Sequence, residues 1–490
     1  MTHLQRRLTV IYLYLVPVLL SFGFFVSCKP HENNDLLLTF SSSMIDSSFT
    51  TPPPTLTFDT VFTSVGSVTK FFMVHNPSNS DVTTTIYLAG GKTSFYSINV
   101  DGDTGTYFKN VVIPKKDSLF IFVKVNVDPK NQNNPFLVSD SVVFVTGKNI
   151  QDVKLLAYGQ DARYILADKE TGYKIVAGAN ETVTWKKERP YVVYGWAAID
   201  SLGTLIIEPG TKVYFHKNSG LWAYRYSNLQ VEGTKEEPVL FRGDRLEKWF
   251  DDDYAQWDRI WINEGAEVSI NHAMITNAFI GLQIEALPTN AGMINIEPNI
   301  VKINNTLIKN TRSYGVLSRF LNVEMTNCVI ANNGSCSMLL EIGNYTMKHL
   351  TISNDFKQSE RKDATCFVSN KIVSVQQGYE QLPAMATKAT FTNCIITGRN
   401  ETEIKQNMSP GADLKVLFEN CLVKSKENSD SFIDCLRNVD PKFEDNGKLN
   451  FRLKPESPAI GKGKPNIDVL LDILGNARKN PPDIGAYESQ

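Results

Sequence analysis

Three consecutive carboxylates lie in a short segment that is also rich in aromatic residues. Asp251, Asp252 and Asp253 stand between Trp249 and Trp257. Carboxylate oxygens are ligands that calcium prefers, and indole rings stack on sugar rings. The segment therefore suggests a calcium-binding or sugar-binding loop, and catalysis is a further interpretation. The alternative is a solvated acidic loop whose aromatic rings cover one edge of the fold.

A second aromatic set alternates with other residues along the chain. Trp222, Tyr224 and Tyr226 are separated by Ala223 and Arg225. Because alternate residues of a β-strand point to the same side, we expect the three rings to share one face. An outward face predicts a sugar-binding platform, whereas an inward face predicts a stack of core aromatics. The residues by themselves leave both interpretations open.

Four cationic residues fall on successive repeats of the pattern described below. Arg312, Arg319, Lys348 and Arg361 can line a groove for an acidic polymer, and solvated surface is the alternative. His349 stands where other repeats carry asparagine. We interpret His349 as a turn residue and not as a catalytic base.

The cationic residues and His349 lie in a region whose sequence repeats, and the repeat sets their positions in space. Asn305, Asn327 and His349 are each 22 residues apart, Asn393 follows 44 residues later, and Asn420 follows 27 residues after that. A fixed period indicates stacked structural units, and short β-branched runs broken by asparagine indicate strands and turns. The pattern predicts an all-β fold, a right-handed parallel β-helix with coils of about 22 residues. A β-sandwich with coincidental spacing is the alternative.

Equivalent residues of successive coils are expected to stack, because neighbouring strands lie ~4.8 Å apart. An interior aliphatic column is predicted for Ile308, Ile330, Ile352 and Ile396. A second column of small or medium side chains is predicted for Thr306, Cys328, Leu350 and Cys394.

The start of the chain carries a targeting pattern. Arg6 and Arg7 precede an apolar run from Leu8 to Val26, and Cys28 follows. This order resembles a bacterial lipoprotein signal peptide, residues 1–27, cleaved before Cys28. The resemblance implies a membrane partner through an acylated Cys28, and Lys29 favours the outer membrane, with the protein periplasmic or at the cell surface. An uncleaved transmembrane anchor is the alternative.

Composition changes divide the remaining chain. Residues 28–54 are rich in Ser, Asn and Pro and are interpreted as a tether, and residues 55–162 contain short strand patterns with polar turns. The latter predict an immunoglobulin-like β-sandwich. Residues 163–490 are assigned to the β-helix, with a C-terminal cap from about residue 440. The formal net charge of -2 gives no basic face for nucleic acid, which excludes that class of partner.

Six cysteines follow Cys28. No CxxC occurs, so a structural zinc site is not expected, and we predict no cofactor other than calcium. We expect thiols that pack as small apolar groups, although Cys328 with Cys336, or Cys421 with Cys435, can pair in an oxidising compartment. The six are Cys328, Cys336, Cys366, Cys394, Cys421 and Cys435.

Several segments resemble known β-helix proteins. Residues 203–215 and 228–234 are similar to the opening coils of the pectate-lyase-like superfamily, and residues 440–443 and 482–488 resemble the C-terminal segments of bacterial β-helix repeat proteins. Residues 243–257 resemble Bacteroidetes surface lipoproteins of uncharacterised function. The resemblance implies the fold far more strongly than any activity.

Lyases on this scaffold combine bound calcium with an arginine or lysine base, and related hydrolases place several aspartates beside a Gly-His-Gly turn. Here Trp261-Ile262-Asn263-Glu264 stands where family members often carry Trp-Ile-Asp-His, and no histidine is flanked by glycine. We therefore predict a surface lipoprotein that binds glycan or acts as an adhesive or scaffold for other envelope proteins. A polysaccharide lyase or glycoside hydrolase with a non-standard active site is the alternative.

Overall fold

The structure is a computed structural model that describes residues 37–41, 55–63, 66–67, 69–129, 135–288, 294, 298–356, 361–373, 382–427 and 429–490. The predicted signal peptide and Cys28 lie outside the described residues. The described chain forms two compact units, and each is described by itself. One consists of Gly66–Val127 and Leu137–Ala157 with the described residues up to Phe58; the other consists of Asp59–Val65, Asp128–Phe136 and Tyr158–Gln490.

The first unit contains most of two five-stranded sheets, as expected for the predicted immunoglobulin-like sandwich. Sheet A has the spatial order β1-β3-β8-β5-β6 and sheet B the order β2-β10-β9-β4-β7. Sheet A contains β1 (Thr39–Ser41), β3 (Lys70–His75), β5 (Tyr96–Val100), β6 (Asp103–Gly105) and β8 (Ser118–Val125). Sheet B contains β2 (Thr55–Phe62), β4 (Val82–Leu88), β7 (Tyr107–Ile113), β9 (Phe136–Thr146) and β10 (Asn149–Gln160), and a 3-10 helix spans Gly91–Thr93.

Alternating burial along these strands places one face of each sheet in the core. In β3 the side chains of Phe72 and Val74 are buried, and in β8 those of Ile121 and Val123 are buried. Strand β1 lies within the predicted tether and pairs antiparallel with β3. Part of that polar segment therefore belongs to the sandwich.

The second unit is a right-handed parallel β-helix made of three parallel sheets, which confirms the predicted fold class. Each coil contributes one strand to sheet C, then one to sheet D and one to sheet E. Sheet C contains β11 (Arg163–Leu166), β14 (Tyr191–Tyr194), β17 (Lys212–Phe215), β20 (Val239–Gly243), β23 (Ala273–Thr276), β26 (Leu307–Thr311), β29 (Val329–Asn333), β32 (Thr351–Asn354), β35 (Ile395–Gly398), β38 (Leu422–Val423) and β40 (Leu436–Arg437).

The other two sheets follow the same order along the axis. Sheet D contains β12 (Tyr173–Ala177), β15 (Trp196–Ile199), β18 (Gly220–Ala223), β21 (Ile260–Asn263), β24 (Leu282–Glu285), β27 (Val316–Arg319), β30 (Met338–Glu341), β33 (Cys366–Ser369) and β36 (Ile404–Asn407). Sheet E contains β13 (Thr182–Trp185), β16 (Thr204–Ile207), β19 (Asn228–Glu232), β22 (Glu267–Asn271), β25 (Ile300–Asn304), β28 (Asn322–Thr326), β31 (Asn344–Lys348), β34 (Thr387–Thr392), β37 (Leu414–Glu419) and β39 (Phe432–Ile433).

The predicted aliphatic column is present in sheet C. Ile308 pairs with Ile330, Ile330 with Ile352, and Ile352 with Ile396, and all four side chains are buried. The 44-residue interval before Ile396 is thus a single coil with long insertions, and not two coils. The second predicted column, Thr306, Cys328, Leu350 and Cys394, is also buried.

The recurring asparagines occupy a turn that needs left-handed backbone. Asn305, Asn327, His349 and Asn393 have φ values of 50°, 54°, 54° and 57°. Asparagine tolerates this conformation better than other residues with a side chain. The Asn327 amide also donates a hydrogen bond to Asn305 Oδ1 at 3.2 Å. The repeat of asparagine in the sequence therefore marks the turn at which these coils need left-handed backbone.

The segment predicted to cap the last coil lies along the side of the β-helix. It contains the antiparallel strands β41 (Phe443–Asp445) and β42 (Asn450–Leu453) and a 3-10 helix at Asn446–Lys448. Phe451 and Ile484 join Val329, Ile395 and Leu422 of sheet C in one buried cluster. Residues 440–490 thus cover the outer face of sheet C across several coils.

Candidate functional site on the outer face of sheet D

Five aromatic side chains form a cluster on the outer face of sheet D. Leu221 and Ala223 point into the coil and are buried, so Trp222 points outward and is half-buried. Trp222 pairs in register with Trp261, and their rings stack with centroids 5.1 Å apart at 14°. The aromatic cluster comprises Tyr173, Trp196, Trp222, Tyr224 and Trp261, each of them partly exposed.

The other rings meet this tryptophan pair at steep angles. Tyr224 and Tyr173 lie edge-on to Trp222, with centroids at 5.1 and 6.0 Å, and Trp196 lies 6.0 Å from Trp261. A Cβ at Gly220 would come within 2.6 Å of the Trp196 ring. The absence of a side chain at Gly220 therefore lets the Trp196 ring lie across the sheet.

Both stacked indoles have their N–H groups held by side chains of the same sheet. Trp222 Nε1 donates to Asn263 Oδ1 at 2.6 Å, and Trp261 Nε1 donates to Glu285 Oε1 at 2.8 Å. These bonds fix the ring orientations. The cluster therefore presents rigid apolar surface beside polar groups.

A hydrogen-bonded row of polar residues borders the cluster. Arg259 Nε contacts Asp258 Oδ1 at 2.6 Å, and Arg259 also donates to the side-chain oxygen of Gln283. Gln283 in turn donates to Glu285 Oε1 at 2.5 Å. The carboxylate of Asp258 and the guanidinium of Arg259 are partly exposed, which gives hydrogen-bonding groups next to the rings.

The opposite border of the cluster is formed by a second ion pair and a piece of loop. Arg225 pairs with Glu264 and donates to the Leu287 carbonyl at 3.1 Å. Glu264 Oε2 accepts from the Leu287 backbone N–H at 2.9 Å. These bonds hold the start of the insertion after β24 beside Tyr224, whose ring lies 5.9 Å from the Arg225 guanidinium carbon.

Farther along sheet D, three charged side chains of successive coils are enclosed. Arg319 Nε lies 3.3 Å from Glu285 Oε2 and 3.5 Å from Glu341 Oε2, and all three side chains are at most 1% exposed. The backbone N–H of Val373 donates to Glu341 Oε1 at 2.7 Å. Arg319 therefore does not line an open groove. The two glutamates that contact Arg319 come from strands 22 or more residues away in the sequence. The contact therefore depends on the register of the coils.

The acidic loop does not bring its three carboxylates to one point. Asp251 Oδ1 lies 3.2 Å from Arg242 Nη2, Asp252 Oδ1 accepts from Asn310 Nδ2 at 3.2 Å, and Asp253 accepts from the next backbone N–H at 2.9 Å. Within the part of the chain that the structure describes, no three His, Cys, Asp or Glu side chains are grouped so that they can hold a metal ion.

The remaining predicted aromatic residues lie apart from the cluster. Trp249 is 55% exposed and is the middle residue of a 3-10 helix at Lys248–Phe250, next to the acidic loop. Trp257 is 1% exposed and stacks inside the coil on Phe215 at 4.3 Å, so its ring does not reach a surface ligand. Tyr226 follows the end of β18 in a left-handed turn with φ 57°, and so does not share the strand face of Trp222.

The four predicted cations are not brought together. The Arg312 guanidinium carbon lies 5.1 Å from the Tyr254 ring, and Lys348 ends a strand of sheet E. Arg361 is buried and its Nη1 contacts Glu403 Oε2 at 2.9 Å. With Arg319 and Arg361 enclosed by glutamates, these residues do not form a basic groove.

His349 is a buried turn residue. Asn393 Nδ2 lies 3.1 Å from its Nε2, and its Nδ1 lies 3.2 Å from the Gly485 carbonyl, so Nδ1 carries the proton. Burial, and then the nearby Arg478 charge, lower the pKa of His349 to about 2. The imidazole is neutral in the folded protein and serves the packing of residues 440–490.

Comparisons with known proteins give only remote matches. No protein-family model matches the sequence, and no curated protein matches it significantly. Among solved structures, a family 123 glycoside hydrolase from Clostridium perfringens is 9% identical over 27% of this chain and 30% of its own length, with a TM-score of 0.19. The catalytic domain of a GH87 α-1,3-glucanase in complex with nigerose is 10% identical over 80% of this chain and 91% of its own, with a TM-score of 0.16.

Among the described residues, no helix has the length and apolar character needed to cross a membrane.

Proposed function

We propose that this protein is a glycan-binding lipoprotein of the bacterial outer membrane, acylated at Cys28, whose contact surface is the aromatic cluster. The observation that carries the proposal is the outward-facing Trp222–Trp261 pair, fixed by indole hydrogen bonds beside the partly exposed Asp258 and Arg259. Aromatic rings cover the apolar faces of sugars, and flanking carboxylate and guanidinium groups bind the hydroxyls.

The charges around the cluster favour a neutral glycan over a uronate polymer. Arg225 is paired with Glu264 and Arg259 with Asp258, so the two cations at the border are matched by two carboxylates. An acidic polymer would have to compete with these ion pairs for the guanidinium groups. A neutral sugar needs only hydrogen bonds from the same side chains.

The test is binding of neutral and uronate-containing polysaccharides to residues 29–490, which retain every described residue. We expect neutral polymers to bind and Trp222→Phe with Tyr224→Ala to weaken binding about tenfold, since an aromatic contact is worth ~1 kcal/mol or more. Trp249→Ala, an exposed tryptophan outside the cluster, is the matched control. Loss of binding in Trp249→Ala with the double variant unaffected would move the site to the acidic loop.

The alternative function is a polysaccharide lyase or hydrolase with a non-standard site, with calcium at Asp251–Asp253. The sequence suggests it through three consecutive aspartates, although each of their carboxylates contacts a different partner in the structure. Incubation with uronate polymers and added calcium, followed by absorbance of unsaturated products, tests the lyase directly. Product release that is lost on replacing Asp251, Asp252 and Asp253 by asparagine would overturn the proposal of a non-catalytic protein.

Anchoring at Cys28 is tested separately in the cell. Labelling of the full chain with a fatty acid should be lost in Cys28→Ala, and the unlabelled protein should leave the outer-membrane fraction. Labelling that persists in Cys28→Ala would refute this part of the proposal. An adhesive or scaffold role for other envelope proteins is compatible with the same anchor.

A further inference from the structure

A second aromatic surface lies on the β-sandwich and has a different chemistry. On the outer face of sheet A, Phe71 pairs with Phe122 and Met73 pairs with Phe120. The three phenylalanine rings lie 5.7, 5.8 and 6.2 Å from one another. Phe120 is 46% and Phe122 is 41% exposed, although both stand on the central strand of the sheet. We call these four residues the phenylalanine patch.

The composition of the surrounding face separates this patch from the sugar-binding candidate. Phenylalanine and methionine have no N–H or O–H group with which to orient a sugar. The other outward positions of β3, β5 and β8 carry Ser, Asn, His and Lys124, and none of these positions carries a carboxylate. An apolar centre whose outward neighbours on β3, β5 and β8 are polar or cationic fits the interface of a membrane with anionic lipids.

The covalent chain limits how far this face can lie from a lipid anchor. Cys28 and the first residue of β1, Thr39, are 11 residues apart. Even a fully extended chain of this length spans only about 40 Å. Strand β1 pairs directly with β3, which carries Phe71 and Met73. The anchored chain therefore enters the sandwich beside the patch.

We propose that the phenylalanine patch inserts into the headgroup and acyl-chain boundary of the membrane that holds the lipid anchor. The inference rests on the proposed acylation of Cys28 for its location, but the binding chemistry belongs to the patch itself. Phe120 and Phe122 contribute the apolar contact, and Lys124 adds attraction to anionic headgroups. Glycan binding by the aromatic cluster does not depend on the patch.

The experiment uses residues 29–490, which lack Cys28, and co-sedimentation with vesicles of phosphatidylethanolamine and phosphatidylglycerol. We expect the protein to sediment with the vesicles, and Phe120→Ser with Phe122→Ser to reduce the bound fraction at least about fivefold. The matched control is Tyr107→Ser with Val112→Ser, two residues of sheet B that are 55% and 53% exposed. Circular dichroism and an unchanged urea-unfolding midpoint of the sandwich establish that each variant is folded.

Several outcomes overturn the proposal. No vesicle binding by the parent protein, or equal losses in the patch and control variants, would refute insertion by the patch. A concentration-dependent dimer that the patch variant abolishes would assign the surface to a second copy of the chain. Fatty-acid labelling of the full chain separates the failure of the lipid anchor from the failure of the patch. If residues 29–490 bind vesicles but the full chain is not labelled, only the proposed acylation of Cys28 is refuted. If the full chain is labelled but residues 29–490 do not bind vesicles, only insertion by the patch is refuted.

Discussion

Replacing His349 should remove a defined part of the pH dependence of stability. In the folded protein the pKa of His349 is lowered to about 2, whereas an unfolded histidine titrates near pH ~6.5. Between these values the unfolded chain binds a proton that the folded chain excludes, so stability falls as the pH falls. The contribution of neutral His349 is complete above pH ~6.5 and decreases progressively below it.

The expected loss follows from the size of the pKa difference. One pKa unit corresponds to ~1.4 kcal/mol, so lowering the pH to two units below the unfolded pKa should cost on the order of 3 kcal/mol from this group. The His349 side chain is fully buried, so solvent does not screen the effect. His349→Asn keeps a residue suited to φ 54°, which the equivalent Asn327 also adopts, but carries no titrating ring.

The assay is urea unfolding of the parent protein and His349→Asn at pH 7.5 and pH 4.5. The carboxylates are the same in both proteins, so the difference between their pH-dependent losses isolates His349. We expect the parent to lose about 3 kcal/mol more than the variant on acidification. Equal losses, with similar m-values, would show that the folded protein accommodates a protonated His349 and would refute this account of its burial.

Three further predictions concern the interior. Ile352→Ala in the aliphatic column should lower the free energy of unfolding by about 2–5 kcal/mol, and Ile330→Val should lower it by only about 0.5–1.5 kcal/mol. Equal effects of the two substitutions in urea unfolding would contradict the stacked packing. Arg361→Leu should cost about 3–5 kcal/mol because it leaves Glu403 buried without its cation, and the added change Glu403→Leu should recover part of that loss. Burial raises the pKa of the Cys328 thiol to about 12. Mass spectrometry should therefore find Cys328 alkylated by iodoacetamide at pH 8 only after unfolding. Rapid alkylation of the native protein would contradict the burial of Cys328 in its column of small side chains.

The cysteines illustrate how a repeat pattern predicts packing. Cys328, Cys394 and Cys421 occupy equivalent positions in the sequence, and all three side chains are fully buried. The six described cysteines are free thiols, with Cys435 the partly exposed member. The sequence favours this arrangement because a small apolar group fits the corner of each coil, whereas the pairing of distant thiols depends on distances that only the fold defines.

The candidate site could be predicted only in part. The alternation around Trp222 indicates that Trp222 and Tyr224 share a face, but the burial of Leu221 and Ala223 decides that the face is outward. Trp261 joins them from 39 residues away, because the register of sheet D places it beside Trp222. Insertions of unequal length between coils hide such pairings from a search for a fixed period.

The amino-acid sequence by itself determined the class of fold, because a left-handed corner that favours asparagine and an apolar interior position recur at a fixed interval in several successive coils. The tertiary structure alone decided which distant side chains meet. It enclosed Arg319 between Glu285 and Glu341, turned Trp257 inward and laid residues 440–490 along sheet C. The physical reason is that the register of a coil depends on the summed lengths of its loops. Residues that contact each other in neighbouring coils are therefore not separated by a constant number of residues in the sequence.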